Sequence, residues 1–131
     1  MKISLIHPSR GRAEKAMHTL INWMVNASDS PNIEIEHITS IDEDDEQKEL
    51  YKALLEGQSW VIVNDNQNVV KATNKAAKCA KGDIIVYMSD DFKCPENWDE
   101  LIVKEFIKNE IKDLADGGFL PMILKVDDDD M

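Results

Sequence analysis

Ser89-Asp90-Asp91 sets two carboxylates side by side directly after an apolar run, Ile84 to Met88. The run is short, β-branched and unbroken, which predicts a strand buried on both faces. In an open α/β sheet such a strand ends at the rim where ligands bind. Adjacent aspartates there are hard oxygen ligands for Mg²⁺ or Mn²⁺; a solvated turn capping the next helix uses the same residues. Three more polar stretches follow apolar runs in the same way. Pro8-Ser9-Arg10-Gly11-Arg12 carries two guanidinium groups, which pair well with phosphate. Asp42-Glu43-Asp44-Asp45-Glu46 offers acceptors for a nucleobase or ribose, or simply a solvated acidic loop before a helix. Asn64-Asp65-Asn66-Gln67-Asn68 is the fourth polar stretch.

The elements that must carry these stretches alternate in type. Strands are predicted at Lys2–His7, Ile33–Thr39, Trp60–Val63, Ile84–Met88 and, irregular or at an edge because of Pro121, Phe119–Val126. Helical periodicity places Ala13, Ala16, Met17, Leu20, Ile21 and Met24 on one face. A second helix, Gln47–Glu56, turns Leu50, Ala53 and Leu54 inward and stops at Gly57. A third, Val69–Ala80, has Val69, Thr73, Ala76, Ala77 and Ala80 apolar or small, with Lys71, Lys75, Lys78 and Lys81 on its other sides. Pro95 and Glu96 read as the first turn of a fourth helix that runs towards Leu114 and ends at Asp116-Gly117-Gly118. This alternation predicts an α/β fold, a doubly wound and mostly parallel sheet with helices on both faces. All the strand ends in question then lie on one rim. The loop after the first strand would bring backbone N–H groups and a helix N-terminus there, an arrangement suited to phosphate. It is neither a dinucleotide fingerprint nor a P-loop, since G-x-G-x-x-G and G-K-[ST] are absent.

Composition narrows the class. A chain of 131 residues, 43% hydrophobic and 31% charged, predicts one globular domain over residues 1–126 with an acidic tail, 127–131. A net charge of −11 argues against a nucleic-acid backbone binder. It leaves room for a phosphorylated small molecule, because a divalent metal supplies positive charge. No apolar run reaches the roughly 20 residues of a transmembrane helix, and the N-terminus lacks the pattern of a signal peptide. Two unpatterned cysteines, Cys79 and Cys94, suggest reduced thiols and a cytoplasmic setting.

These stretches, in this order, resemble the nucleotide-sugar-binding half of the GT-A glycosyltransferases, especially family 2. The Pro8–Arg12 loop, the acids Asp42–Asp45, Ala72-Thr73-Asn74-Lys75-Ala76, Ala80-Lys81-Gly82-Asp83, Ser89-Asp90-Asp91 at the DXD position and Pro95-Glu96-Asn97-Trp98 carry the resemblance, over most of Lys2 to Val126. It implies a nucleotide-diphospho-sugar donor bound with Mn²⁺ or Mg²⁺ and an acceptor that is a glycan, lipid or protein. Pro8, Ser9 and Arg12 would line the nucleotide pocket. Asp42 would contact the base, with neighbours such as Asp44 as alternatives. Asn74 would support the ribose or diphosphate, Asp90 would be the middle residue of the DXD-like motif, and Asp91 would contact the metal. Ser89 replaces the first acid of DXD, and Thr73 stands where the family often has Arg. The family's later acceptor-binding part and catalytic base have no obvious counterpart.

In the implied chemistry, negative charge develops on a diphosphate leaving group. A cation at Asp91 would act on it as a Lewis acid, and Arg10 or Arg12 would add charge stabilisation. Two other readings stay open. One is a non-catalytic or degenerate nucleotide-sugar-binding module. The other is an unrelated acidic-pocket doubly wound domain, whose acid pair is expected after the first strand, where this chain has His7-Pro8.

Overall fold

The computed structural model describes residues 1–65 and 68–116, with 109–116 as backbone only. Strands and helices alternate: β1 (Lys2–Pro8), α1 (Ala13–Asn26), β2 (Glu34–Asp42), α2 (Lys48–Leu55), β3 (Trp60–Asn64), α3 (Val69–Cys79), β4 (Ile84–Tyr87) and α4 (Trp98–Asp116). The four strands are parallel and lie in the order β3-β2-β1-β4. The expected Phe119–Val126 strand, the acidic tail and the Asn66-Gln67 part of the fourth polar loop lie outside the described residues.

Side-chain alternation sorts the strands between two cores. Ile3, Leu5, Ile41, Ile84 and Val86 face one way, towards Leu20 and Trp23 of α1, Tyr51 and Leu55 of α2, and Trp98 and Ile102 of α4. Ile6, Ile38 and Ile62 face the other way, against Ala76 of α3. Helices therefore cover both faces, as the alternating pattern requires. The chirality of strand–helix–strand crossovers explains the split. From β1 the chain steps outward to β2 and β3 through α1 and α2. It then reverses past β1 to β4, which sends α3 to the opposite face. The point of reversal is the crevice between the carboxyl ends of β1 and β4, where open sheets of this kind bind ligands.

Two indoles tie α1 and α4 to the β4 side of the sheet. Trp23 donates Nε1–H to the carbonyl of Phe92 at 3.2 Å, and Trp98 donates to the carbonyl of Trp23 at 2.6 Å. Their rings meet edge-on at 4.9 Å, so each buries a large apolar body with its one donor satisfied.

Several sequence expectations shift. On α2 the buried residues are Tyr51 and Leu55, whereas Leu50 is exposed. The helix begins at Lys48, and its inward face is set by Tyr51 reaching the β1 loop. On α1, Ile21 is 41% exposed, and Thr19 and Trp23 are buried in its stead. On α3 the inward residues are Ala72 and Ala76; Val69 is exposed. β2 extends beyond Thr39 to Asp42, since β1 and β3 pair with it along that length. Trp60 is 52% exposed because β3 has a single neighbour among the described strands. β4 is not buried on both faces: Ile85, on the α3 side, is 42% exposed. Pro95 and Glu96 precede the last helix, which starts at Trp98 after Asn97 takes a left-handed φ of 60°.

Candidate functional site

The polar strand ends converge on one rim, as the parallel arrangement requires. Pro8 closes β1, and the loop Ser9–Arg12 rises from it. Gly11 adopts φ +65°, a left-handed turn that costs a glycine little. The following N–H groups are then taken in succession by side chains from the β2–α2 connection. Asp45 Oδ2 accepts from Gly11 N at 2.8 Å, the Tyr51 hydroxyl from Arg12 N at 2.9 Å, and Gln47 Oε1 from Ala13 N at 2.8 Å. Three of the N–H groups expected near the rim, those of Gly11, Arg12 and Ala13, are thus engaged within the protein and hold the loop. What the loop presents outward is its two guanidinium groups.

Arg10 reaches the end of β2. Its Nη1 donates to Asp42 and, at 3.1 Å, to Asp44. The Arg10 guanidinium holds the Asp44 carboxyl below the usual carboxylate range, and Asp44 with Asp42 raises the affinity of Arg10 for its proton. Arg12 crosses to the end of β4 and grips Asp91 with both Nη atoms, at 2.8 and 3.1 Å, with Lys15 Nζ 3.8 Å from the same carboxylate. Hydrogen bonding from Arg12 lowers the carboxyl of Asp91. Beside Arg12 an open pocket of about 380 Å³ is lined by Glu14, Lys15, Gln47 and Leu50.

Asp90 turns inward. Its carboxylate accepts from Ser9 Oγ at 2.9 and 3.0 Å and meets His7 Nε2 at 2.6 Å, while its backbone carbonyl accepts from Thr19 Oγ1. Ser9 Oγ lies 2.6 Å from the hydroxyl of Tyr51. His7 Nδ1 in turn meets His37 Nε2 at 3.0 Å, and His37 Nδ1 meets Ser59 Oγ at 2.6 Å. His7 and His37 are both buried, and burial, followed by the neighbouring His7, holds His37 well below the ordinary imidazole range. These histidines and Tyr51 were not singled out by sequence. The available signal was parity: His7 continues Ile3 and Leu5, and His37 sits opposite Leu5 on the same inward face.

The remaining expected positions divide. Pro8 is half-buried at the base of the loop, and Ser89, also half-buried, accepts from Asp91 N at 3.4 Å. Asn74 is exposed midway along α3, with no hydrogen bond to the rim among the described residues. Asn64 spends its amide internally on Ser40 Oγ and the carbonyl of Ile41, at 2.8 and 2.9 Å.

A divalent cation demands hard oxygens. Among the described residues no group of three His, Cys, Asp or Glu side chains converges on such a site. Asp90 is spent on His7 and Ser9, and both oxygens of Asp91 receive Arg12. A cation at this rim would have Asp91 as its one protein carboxylate, reached only if Arg12 withdrew, with phosphate and water completing the shell.

Residues 4–119 match the family described as Glycosyl transferase family 2. A search of curated proteins returns no match. Among solved structures, S. aureus TarS 1–349 is similar at 20% identity with a TM-score of 0.58, over 88% of this chain and 33% of that one. The same TarS fragment in complex with UDP gives 18% identity and a TM-score of 0.62, over 84% of this chain and 33% of that one. Its complex with UDP-GlcNAc gives 21% and 0.54, over 88% and 32%. At such identity the likeness is one of fold, and the chain spans about a third of the TarS fragment.

Proposed function

The chain belongs to glycosyl transferase family 2, and from that premise we propose that its rim binds the diphosphate and nucleoside of a nucleotide-diphospho-sugar donor for transfer to a glycan, lipid or protein acceptor. The observation that carries this reading is the spread of two arginines from the β1 loop, Arg10 to the β2 acids and Arg12 across the switch point to the β4 acid. Arg12 would turn to the donor phosphates, and Asp42 or Asp44 would take base or ribose hydroxyls once Arg10 lets go. Ser9 and Pro8 would form the floor. Ser89 and Asp90 would act by holding the β4 turn, and Asn74 would reach the donor only from the α3 side.

Asp91 would hold Mn²⁺ or Mg²⁺ with the diphosphate, and the cation would supply Lewis-acid stabilisation of the leaving group. The arginines stabilise the same developing charge by hydrogen bonding in a fork that matches phosphate oxygens. The domain would extend over residues 1–126 ahead of an acidic tail. Both cysteines are free, which supports a cytoplasmic setting; no helix among the described residues is long and apolar enough to cross a membrane. A second reading, a binding module that needs no metal, draws support from Arg12 covering Asp91.

Calorimetric titration of UDP, UDP-GlcNAc and GDP with and without Mn²⁺ tests the reading on wild type and Asp91→Ala. Metal-dependent binding lost in Asp91→Ala is expected. Binding unaffected by metal in both proteins favours the module, and no binding of any nucleotide refutes the donor site.

A further inference from the structure

Two buried imidazoles in hydrogen-bond contact beneath a ligand rim are unusual. Burying a titratable pair costs free energy unless every polar atom is matched. Here each nitrogen is matched, and the matching has a direction. The chain runs from Asp90 through His7 and His37 to Ser59, at 2.6, 3.0 and 2.6 Å, crossing from β4 over β1 and β2 to the start of β3. Thr39 Oγ1 closes the far end, 3.3 Å from His37 Nδ1 and 2.7 Å from Ser59 Oγ.

With Asp90 as a carboxylate and His37 held neutral by burial, two proton arrangements satisfy this chain. In one, a hydroxyl of Ser59 or Thr39 donates to His37 Nδ1, and His37 Nε2–H donates to His7 Nδ1. The neutral His7 then carries its proton on Nε2, facing Asp90. In the other, His7 is protonated on both nitrogens. Its Nδ1–H donates to His37 Nε2, and His37 Nδ1–H donates to Ser59. His7 Nε2–H points at Asp90 in both. His37, by engaging Nδ1, holds the plane of the His7 ring, and Asp90 takes the Nε2–H in either case.

We propose that His7 and His37 are positioning residues for the donor site, holding Asp90 so that the Ser9–Arg12 loop and Asp91 hang from one anchored carboxylate. The inference rests on the donor-site reading above. Ser9 is tied to Asp90 by its hydroxyl, and Arg12 lies three residues beyond Ser9. Asp91 follows Asp90 directly, and the backbone of Asp90 is pinned by Thr19. Both partners of the Arg12–Asp91 pair therefore depend on the orientation of one side chain, which His7 sets from below the sheet end. Tyr51 continues the web, joining Ser9 Oγ to the N–H of Arg12.

The test uses three variants of the whole chain. His7→Gln keeps an N–H at the Nε2 position. His7→Asn places its amide near the Nδ1 position, facing His37 and away from Asp90. His7→Phe removes both. Two readouts are taken: amide ¹H–¹⁵N shifts of Arg12 and Asp91 without ligand, and calorimetric affinity for UDP and GDP with Mn²⁺. His7→Asn and His7→Phe are expected to move both amides and weaken nucleotide binding with Mn²⁺ about 10- to 100-fold, the range seen when a group orienting a metal site's ligands is lost. His7→Gln is expected to restore the amide positions and stay within about threefold of wild type. Should His7→Phe fail to fold, His7→Asn against His7→Gln decides alone. Equal behaviour of Asn and Gln, or unmoved amides in a folded His7→Asn, overturns the proposal. If wild type binds neither nucleotide, the donor-site reading falls, while the amide shifts still decide whether His7 positions the loop.

Discussion

On the donor-binding reading, replacing Arg12 by Ala separates two roles of one rim, cation binding at Asp91 and phosphate binding at Arg12. The guanidinium makes a two-pronged contact to Asp91 at 2.8 and 3.1 Å, with the Arg12 and Asp91 side chains 46% and 31% exposed. Exposed ion pairs contribute about 0.2–1 kcal/mol, and a two-pronged geometry places this one near the upper end. A cation binding at Asp91 must first displace Arg12, so its affinity is reduced by that amount, about two- to fivefold. Lys15, 3.8 Å from Asp91, keeps part of the competition after Arg12 is removed. Arg12→Ala should therefore bind Mn²⁺ about two- to fivefold more tightly in nucleotide-free calorimetry. It should bind UDP more weakly without metal, having lost a phosphate donor. Acid titration checks the same pair independently. Because the Asp91 carboxyl is lowered in the folded protein, the unfolded chain binds the extra proton first. The pair's stabilisation is present at neutral pH and is lost as pH falls below about 4. Arg12→Ala should flatten that acid limb in urea unfolding. A folded Arg12→Ala whose Mn²⁺ affinity is unchanged or lower refutes the competition argument.

Gly82 has no room for a side chain, since a Cβ there would lie 2.8 Å from Ser4 N and 2.9 Å from Lys2 O; Gly82→Ala should lose about 1–3 kcal/mol in urea unfolding, and a smaller loss would show that the entry to β4 gives way easily. Tyr51→Phe removes the acceptor of Arg12 N and the partner of Ser9 Oγ, so stability should fall by about 1–2 kcal/mol, with the amide of Arg12 exchanging faster with deuterium than in wild type. His37 is held neutral by burial, so the unfolded chain takes up a proton that the folded one refuses. Stability should then fall as pH drops below about 6.5, by up to about 1.4 kcal/mol per pH unit, and His37→Phe should remove that slope between pH 7.5 and 5.5. An unaltered slope in His37→Phe would assign it to another group.

The parallel sheet and its rim were legible because they rest on one-dimensional signals. Ile3, Leu5 and Ile6, then Ile84 and Val86, announce buried strands, and Gly11, Gly57 and Gly82 punctuate them. Helix faces were less legible where size competes with periodicity. Leu50 and Ile21 continue an apolar pattern yet lie outward, because Tyr51 and Trp23 fill the same interior with larger side chains and find hydrogen-bond partners there. The placement of acids at the rim could be read, but their pairing could not. Asp90 and Asp91 are neighbours in sequence that point opposite ways, one into His7 and Ser9, the other out to Arg12. That division depends on contacts 79 to 83 residues apart, which no local pattern records. Asn74 shows the converse, a residue suggested by its helix motif that is exposed on α3 and makes none of the rim hydrogen bonds among the described residues.

Charge then decides how such a rim can accept an anion. Three cations, Arg10, Arg12 and Lys15, stand among five aspartates: Asp42, Asp44, Asp45, Asp90 and Asp91. The chain as a whole carries −11. A diphosphate arriving here meets no uncommitted guanidinium in the rim cluster, because Arg10 and Arg12 are already engaged by carboxylates. Turning Arg12 to phosphate leaves Asp91 with Lys15 alone, at a distance where water and salt screen much of the attraction. The cost of freeing the arginine is thus set by what becomes of Asp91. On the donor-binding reading, a divalent cation and the diphosphate arriving together resolve the exchange: the cation takes the carboxylate as the guanidinium takes the phosphate. Neither partner alone meets a prepared site, so cation and nucleotide should each strengthen the binding of the other by the same factor.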